Sequence, residues 1–511
     1  MKAIEVPDEN LYAILVNTTA KYGSRTAIIY EDTALNYKDL LNKVDQLANE
    51  WSELGIQKGE RLGIMLENHP MYIISYYAAL KLGLIIVQIN PMYTVRELNE
   101  IIQDARVGQL VTKLEYKSKI DEVFKSESLP KIFYIDLDHT YENNYSIPNI
   151  LNSFRERKKP CDISAKQDIA VLQYTGGTTG NKKGAMLTHY NLLANIIQSK
   201  VMNGSKIQEG KETFLTAIPL YHVYAMTVGM NLPIYVGATI LLVNKFEVKS
   251  VLQMIEKYKP TYFPGVPKMY NAFVHYPKIQ DFDLTSLKVC TSGSAPLPIE
   301  IIKQFEKMTS AEIGEGYGLT EASPSTHRNP PLGTRKVGSI GIPMPDTDCK
   351  IVDDNDCELP PYSVGELVIK GPQIMLGYWN NEEETQLALR DGWLYTGDLA
   401  SMDDEGYFYI VGRKKEMIIV GGFNIYPQEI EEVLYEHPCI QEAAVIGIPN
   451  PTGDEIVKAF IVAKDGEEID VEEIRNYCYS QLTRYKVPKE IEIIEALPRN
   501  TVGKILKRLL V

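Results

Sequence analysis

Cysteine is scarce: six residues in 511, at positions 161, 290, 349, 357, 439 and 478. No two form a Cys-x-x-Cys pair, so neither a thiolate zinc site nor a disulfide framework is suggested. Scattered thiols fit a reducing, cytosolic setting. The seven histidines show no metal-ligand spacing. Excess positive charge is also missing. Lys and Arg total 53 against 67 Asp and Glu, the net charge is −14, and no basic stripe stands out. Nucleic-acid binding is therefore not expected, and the acidity gives no support to docking on an anionic membrane. There is no long hydrophobic run. The longest, 71–87, is interrupted by Lys81 and Gly83 and falls short of the ~20 apolar residues of a membrane span. The first ten residues lack the apolar core of a signal peptide.

What is present is ordinary for a globular protein, with 44% hydrophobic and 23% charged residues. The length implies roughly three domains or subdomains. Against that background one stretch stands out, Tyr174-Thr-Gly-Gly-Thr-Thr-Gly-Asn-Lys-Lys-Gly184. Apolar Ile169 to Leu172 precede it as a short buried strand, and an apolar-periodic, helical stretch follows Ala185-Met-Leu-Thr-His189. Strand, glycine-rich turn and helix together present backbone N–H groups to a phosphate. Four glycines let the backbone approach an anion, three threonines add hydroxyl donors, and Lys182 or Lys183 adds charge. As bare sequence this is a mobile loop as readily as a cradle. It is not a Walker A loop, because Asn181 follows Gly180 and Ala185 follows Gly184 where that motif requires Gly-Lys-Ser/Thr.

This loop resembles the phosphate loop of the adenylate-forming superfamily: acyl-CoA synthetases, luciferases and carrier-loading adenylation domains. Thr175-Gly176-Gly177 is most similar to bacterial long-chain fatty-acid–CoA ligases, as are Pro-Leu-Tyr-His, Gly-Pro-Gln-Ile-Met-Leu-Gly-Tyr-Trp and Tyr-Lys-Val-Pro-Lys further on. Lys182 stands where many relatives have proline. The resemblance implies that Thr175, Gly176, Gly177, Thr178, Thr179, Gly180 and Lys183 hold the phosphates of ATP.

Periodicity gives the scaffold. Leu40, Val44, Leu47, Trp51 and Leu54 recur at helical spacing over 35–55, closed by Gly55. A strand at 61–66, a helix at 71–82, a strand at 84–89 and a helix after Pro91 then alternate, which predicts a doubly wound βαβ arrangement. Residues 140–165 read as a polar connector. The runs 226–232 and 237–243 are candidate walls of an apolar acyl pocket. Short alternating strands from 338 predict a small β-barrel-like subdomain, and an α+β unit occupies the last hundred or so residues. The resemblance assembles these into an α/β N-terminal adenylation domain over 1–412, with subdomains of about 1–165, 166–330 and 331–412. A small mobile C-terminal domain over 413–511 follows, with a hinge at 413–415.

The remaining motifs gain roles from the same resemblance. His222, by its surroundings as much a packed core histidine as a site group, corresponds to a position beside the acyl carboxylate. Gly293, Ser294 and Ala295, in a strand-ending turn, lie against adenosine. In Glu315-Gly-Tyr-Gly-Leu-Thr-Glu321, Gly316 and Gly318 admit a flat ligand and Tyr317 stacks on the base. Thr320 meets a phosphate and Glu321 carries Mg²⁺, a cation suited to one or two carboxylates plus phosphate oxygens. Glu315 replaces the glutamine of many relatives and is expected to accept from the adenine amino group. Asp398, placed at an exposed turn, takes the ribose diol. Arg413 contacts ribose or phosphate, Lys415 is the pivot, and Ile419 replaces a further lysine of some relatives. Gly421, Gly422 and Phe423 line the tunnel for coenzyme A. The terminal Pro-x-x-x-x-Gly-Lys pattern makes Lys504 the catalytic lysine and leaves Lys507 and Arg508 on the surface.

The expected reaction is ATP-dependent activation of a fatty acid through an acyl-adenylate, followed by thioesterification to coenzyme A with release of AMP and pyrophosphate. Mg²⁺ is the cofactor, and ATP and coenzyme A are co-substrates. Alternatives within the superfamily are loading of an acyl carrier protein, activation of medium-chain or aryl acids, or luciferase-like oxygen chemistry; a catalytically silent binder is the rival from outside it. No insertion between Val411 and Gly421 marks a fatty acyl-AMP ligase, and no carrier-like extension follows Val511. A cytoplasmic enzyme, with peripheral membrane contact and a homodimer both compatible, completes the expectation.

Overall fold

The computed structural model describes residues 3–125, 130–140, 142–152, 158–176, 182–309, 311–420, 423–449, 455–464, 466–467, 469–500 and 503–510. The periodic segment near the N-terminus forms the helix Tyr37–Glu53. The Asn36 side chain caps it by accepting the Asp39 N–H at 2.8 Å. Its apolar stripe, Leu40, Val44, Leu47 and Trp51, is fully buried. Gly55 follows at φ +77°, a left-handed exit that glycine adopts without strain. The partner helix Pro70–Leu82 starts on a proline and ends at Gly83 with φ +67°. Lys81, which breaks the apolar run of this helix, is buried against Asp45 at 2.8 Å, and Tyr12 donates to the same carboxylate oxygen. A charge buried here is tolerated because it is paired and hydrogen-bonded.

The alternating elements build a seven-stranded sheet. Its order is Asn144–Ser146, Lys131–Tyr134, Gln109–Thr112, Arg61–Ile64, Ile85–Gln88, Ile169–Gly176 and Lys182–Thr188, parallel except for the last strand. A nine-stranded sheet runs Ile342–Pro343, Ser325–Arg328, Glu312–Gly318, Val289–Ser292, Tyr262–Gly265, Thr213–Thr216, Thr239–Leu242, Thr26–Tyr30 and Thr33–Asn36. It is parallel in its middle and antiparallel at both edges. The two sheets exchange segments across residue 165, since 26–36 joins the second and 169–188 the first. The segment read as a connector also supplies an edge strand and the helix Ile147–Asn152.

The phosphate-loop layout differs from the strand–turn–helix expectation. Ile169–Gly176 pairs antiparallel with Lys182–Thr188, in register from Ile169↔Thr188 to Gly176↔Lys182. The two strands flank residues 177–181, which lie outside the described residues. The helix His189–Asn203 starts seven residues later than Lys182, behind its own Thr188–Asn191 capping box. Local composition missed this because Lys182–Thr188 is too short and too mixed to announce a strand.

The third sheet is antiparallel: Asp348–Val352, Gly365–Lys370, Trp393–Met402 and Leu389–Arg390, with Phe408–Arg413 also paired to Trp393–Met402. Its pairing is that of an open sheet, not of a closed barrel, among the described residues. The C-terminal unit has its own core, including Ile425, Ile430, Leu434, Val445, Ile461 and Ile474. Two helices, Pro427–Tyr435 and Val471–Gln481, pack there with the sheet of Ile440–Pro449, Glu455–Ala463 and Glu490–Ile493. Asp470 caps the second helix by accepting from the Glu472 N–H. Among the described residues no helix is long and apolar enough to cross a membrane.

Candidate active site

The strand ends of the nine-stranded sheet, the base of the phosphate hairpin, the third sheet and the C-terminal tail enclose one large cavity of ≈ 1440 Å³. Strand ends of a mostly parallel sheet collect ligands because successive turns open there. Gly318 is needed for close approach. A Cβ on Gly318 would stand 2.2 Å from the Pro324 carbonyl oxygen, so the strand Glu312–Gly318 can turn into Thr320–Glu321 only with glycine at that position.

Several polar groups of the cavity are held in pairs. Tyr317 donates its hydroxyl to Asp398 Oδ2 at 2.5 Å, and Arg413 Nε meets Asp398 Oδ1 at 2.9 Å. Asp398 faces Arg413 across paired strands and is only 5% exposed, so it lies within a strand and not at the exposed turn expected. Tyr378 donates to Glu321 Oε1 at 2.7 Å, leaving the second oxygen of Glu321 to the cavity it lines. Lys183 pairs with Glu384 at 2.5 Å and stands over the Tyr378 ring. Lys182 sits 4.3 Å from the Tyr93 ring centroid and donates to the Glu97 carbonyl. Burial lowers its pKa while Glu97 and Glu100 oppose the shift.

The C-terminal tail reaches this site. The Lys504 N–H donates to Asn500 Oδ1 at 2.8 Å and the Asn500 N–H returns to the Lys504 carbonyl at 2.9 Å. Gly503 is at φ +82°, and a Cβ there would stand 3.4 Å from Lys268 Cβ of the large domain. Arg499 anchors the turn to Glu442 at 2.8 Å. Lys504 lines the cavity with Thr320, Asp398 and Arg413. Burial first, then Arg413 and Lys507, hold its pKa below the usual lysine value, against Asp398 and Glu416. Lys507 is not on the surface as expected. Its side chain is 18% exposed and pairs with Glu431 at 2.7 Å, whereas Arg508 is exposed.

The cavity gathers Thr175, Lys183, His222, Gly293, Ser294, Gly316, Tyr317, Gly318, Thr320, Glu321, Asp398, Arg413, Lys415 and Lys504 from widely separated motifs. Burial holds His222 at a pKa of about 4, so it is neutral at ordinary pH and offers shape and hydrogen bonding, not charge. Ser294 is held at φ +74°. Ala295 is not among the lining residues, and of Gly176 only the backbone, at the end of the strand Ile169–Gly176, is described. Glu315 Oε2 accepts the Gly338 N–H at 3.0 Å, and Glu315 is not among the residues that line the cavity. Burial pushes its pKa up to about 7. Phe423 lies in the strand Phe423–Ile425, 55% exposed and stacked on Tyr485 at 4.6 Å, away from the cavity lining. Gly177, Thr178, Thr179, Gly180, Gly421 and Gly422 lie outside the described residues. Of the pocket-wall runs, Val228 and Leu232 line the cavity, but Thr239–Leu242 is an interior strand. Sequence reading missed the orienting role of Tyr378, although its Gly-Tyr-Trp motif was in view, and it missed Tyr224, Glu384 and Arg328 altogether.

Residues 15–379 match the family model of the AMP-binding enzymes, and residues 429–504 match that of the AMP-binding enzyme C-terminal domain. The chain belongs to the AMP-binding enzyme family. A long-chain-fatty-acid–CoA ligase from Bacillus subtilis (strain 168) is 43% identical, over 99% of this chain and 94% of that protein. One from Escherichia coli O6:H1 is 36% identical, over 98% and 94%. Among solved structures, the anthranilate CoA ligase AuaEII in complex with anthranoyl-AMP superposes with a TM-score of 0.92 at 28% identity, over 100% of this chain and 98% of that one. The α/β fold, with its large N-terminal and small C-terminal domain, is that of this AMP-binding enzyme.

The donor set also fits the magnesium ion of such enzymes. No group of three His, Cys, Asp or Glu among the described residues could hold a metal, but a cation that takes one carboxylate and substrate phosphate oxygens needs no such group. The free oxygen of Glu321, oriented by Tyr378, is suited to it.

Proposed function

We propose that this chain is a long-chain-fatty-acid–CoA ligase. It activates a fatty acid with ATP to an acyl-adenylate, releases pyrophosphate, and passes the acyl group to coenzyme A with release of AMP. The observation that carries this reading is the convergence of Lys504, from the tail, on Thr320, Asp398 and Arg413 in one cavity. The names of the full-length relatives supply the acyl class.

A free carboxylate is a poor acylating agent because its leaving group is poor, and adenylation makes AMP the leaving group. Asp398, fixed by Tyr317 and Arg413, accepts from the ribose hydroxyls. Thr320 donates to the α-phosphate, and Lys183 exchanges its Glu384 partner for phosphate oxygens. Lys504 bridges the acyl carboxylate and the α-phosphate. It stabilises charge as it develops, and no proton transfer is asked of it. Neutral His222 steers the carboxylate. Bound Mg²⁺, held by Glu321, supplies charge neutralisation on the phosphates. The C-terminal domain then turns about Lys415, withdrawing Lys504 and bringing residues 421–423 to the acyl-adenylate, where the coenzyme A thiolate attacks the carbonyl and AMP departs. A few residues absorbing φ/ψ change are enough for such a turn. We place the enzyme in the cytoplasm.

Product analysis with Mg·ATP and a panel of fatty acids, with and without coenzyme A, tests the reading. Acyl-CoA, AMP and pyrophosphate in equal amounts are expected. Acyl-AMP accumulating despite coenzyme A would move the acceptor to a carrier protein, and no pyrophosphate from any acid would refute the proposal.

A further inference from the structure

The cavity holds a charge that the mechanism does not use. Arg328 ends the strand Ser325–Arg328 and lies opposite Gly316 on the neighbouring strand Glu312–Gly318. Its side chain runs over two glycines. A Cβ on Gly316 would be 3.9 Å from Arg328 Cγ, and one on Gly314 would be 3.8 Å from Arg328 Nε. It borders the cavity beside Tyr224, Thr291, Ser292 and Gly314. Its Nε and Nη2 are buried without a hydrogen-bond partner, and so is the Ser292 hydroxyl next to it.

No protein anion answers this cation among the described residues. The groups that bear on it electrostatically are three phenols, Tyr262, Tyr224 and Tyr270, which are neutral. Their hydroxyls are turned to other acceptors: Tyr224 is bonded to Thr291 Oγ1 at 2.8 Å, Tyr270 donates to the Thr291 carbonyl at 2.8 Å, and Tyr262 donates to Asn203 Oδ1 at 3.4 Å. The contrast with other arginines at the cavity is direct. Arg413 has Asp398 and Arg499 has Glu442. Buried charges are normally paired, because an unpaired one loses its hydration without return. A guanidinium offers a planar fork of donors that fits a carboxylate. The shelf of Gly314 and Gly316 leaves open the space in front of the fork.

We propose that Arg328 is a specificity-determining residue that receives a second carboxylate at the far end of the acyl substrate, so that the preferred acid carries a carboxylate at both ends. One carboxylate is activated near Thr320 and Lys504, and the other pairs with Arg328. Along the strand the rise of ~3.3 Å per residue separates Gly314 from Gly318 by roughly 13 Å, which leaves room for a methylene chain between the two ends. The inference rests on the acid-activating reading and replaces its long-chain class with diacids of medium length.

The test compares monocarboxylic and α,ω-dicarboxylic acids of equal carbon number across a length series, in wild type, Arg328→Met and Arg328→Lys. Pyrophosphate release gives kcat/KM, and calorimetric titration of each acid gives binding. Wild type is expected to favour the diacid at its best length. Arg328→Met should shift the diacid-to-monoacid ratio by about 100-fold, through KM and binding, while monoacid turnover holds or improves. Arg328→Lys should keep the direction with a smaller ratio, and an ω-hydroxy acid should fall between the two classes. A wild-type preference for monoacids at every length, or an unchanged ratio in Arg328→Met, would overturn the inference while leaving the ligase reading in place. Arg328-dependent diacid binding with no pyrophosphate from any acid would uphold the inference and remove the ligase reading.

Discussion

The two halves of the cavity treat charge in opposite ways. On the nucleotide side, Asp398 is joined to Tyr317 and Arg413, Glu321 to Tyr378, and Lys183 to Glu384. Each group is oriented before any ligand arrives, which is the preorganisation that electrostatic catalysis requires. Arg328, on the same cavity, stands without a protein partner among the described residues, and the proposed second carboxylate completes the pair. The first half is built to do the same chemistry on every acid. The second is built to discriminate among acids.

The largest effect expected from breaking this contrast is at Lys504. Lys504→Ala should lower acyl-adenylate formation by about 10²–10³-fold, read as acid-dependent pyrophosphate exchange. Thioester formation from supplied acyl-AMP should change by only a few-fold. Equal loss of both half-reactions would take Lys504 out of its assigned role. Tyr378→Phe, which removes the hydrogen bond that orients Glu321, should raise the Mg²⁺ concentration for half-maximal rate by about tenfold. An unchanged Mg²⁺ dependence would mean that Glu321 does not face the metal.

How much of this was legible beforehand follows the same division. Thr320, Glu321, Asp398, Arg413 and Lys504 fall in short contiguous motifs whose residue types betray their chemistry, and all five line the cavity. Arg328 gave no signal. Its meaning lies in Gly314, Tyr224 and Ser292, which are distant in sequence and become neighbours only through strand pairing. The helix Tyr37–Glu53 was visible because one face carries its whole core. The strand Lys182–Thr188 was not, because its identity comes from its partner across the hairpin and not from its own residues. For Glu315 the motif locates the backbone, while the partner of its side chain, the Gly338 N–H, comes from a distant segment that the motif does not name.

Glu315 yields a smaller, pH-dependent effect. Its pKa in the folded protein is about 7, raised by burial from 4.5. Between those values the native state holds a proton that the unfolded chain has lost, so this group's contribution to stability is present at low pH and fades as pH rises through 7. Glu315→Gln keeps an acceptor for the Gly338 N–H and removes the charge. It should melt a few degrees higher than wild type at pH 8 and at the same temperature near pH 4.5, with KM for ATP unchanged. A raised KM would return Glu315 to the nucleotide site.

The division of labour is tested most directly by measuring pyrophosphate exchange for Lys504→Ala and Arg328→Met over one series of mono- and dicarboxylic acids. The expected result is that Lys504→Ala lowers every acid by a common factor, while Arg328→Met changes the ranking of the acids and leaves the best monoacid rate intact. A Lys504→Ala loss that varies with the acid, or an Arg328→Met loss shared by all acids, would contradict it.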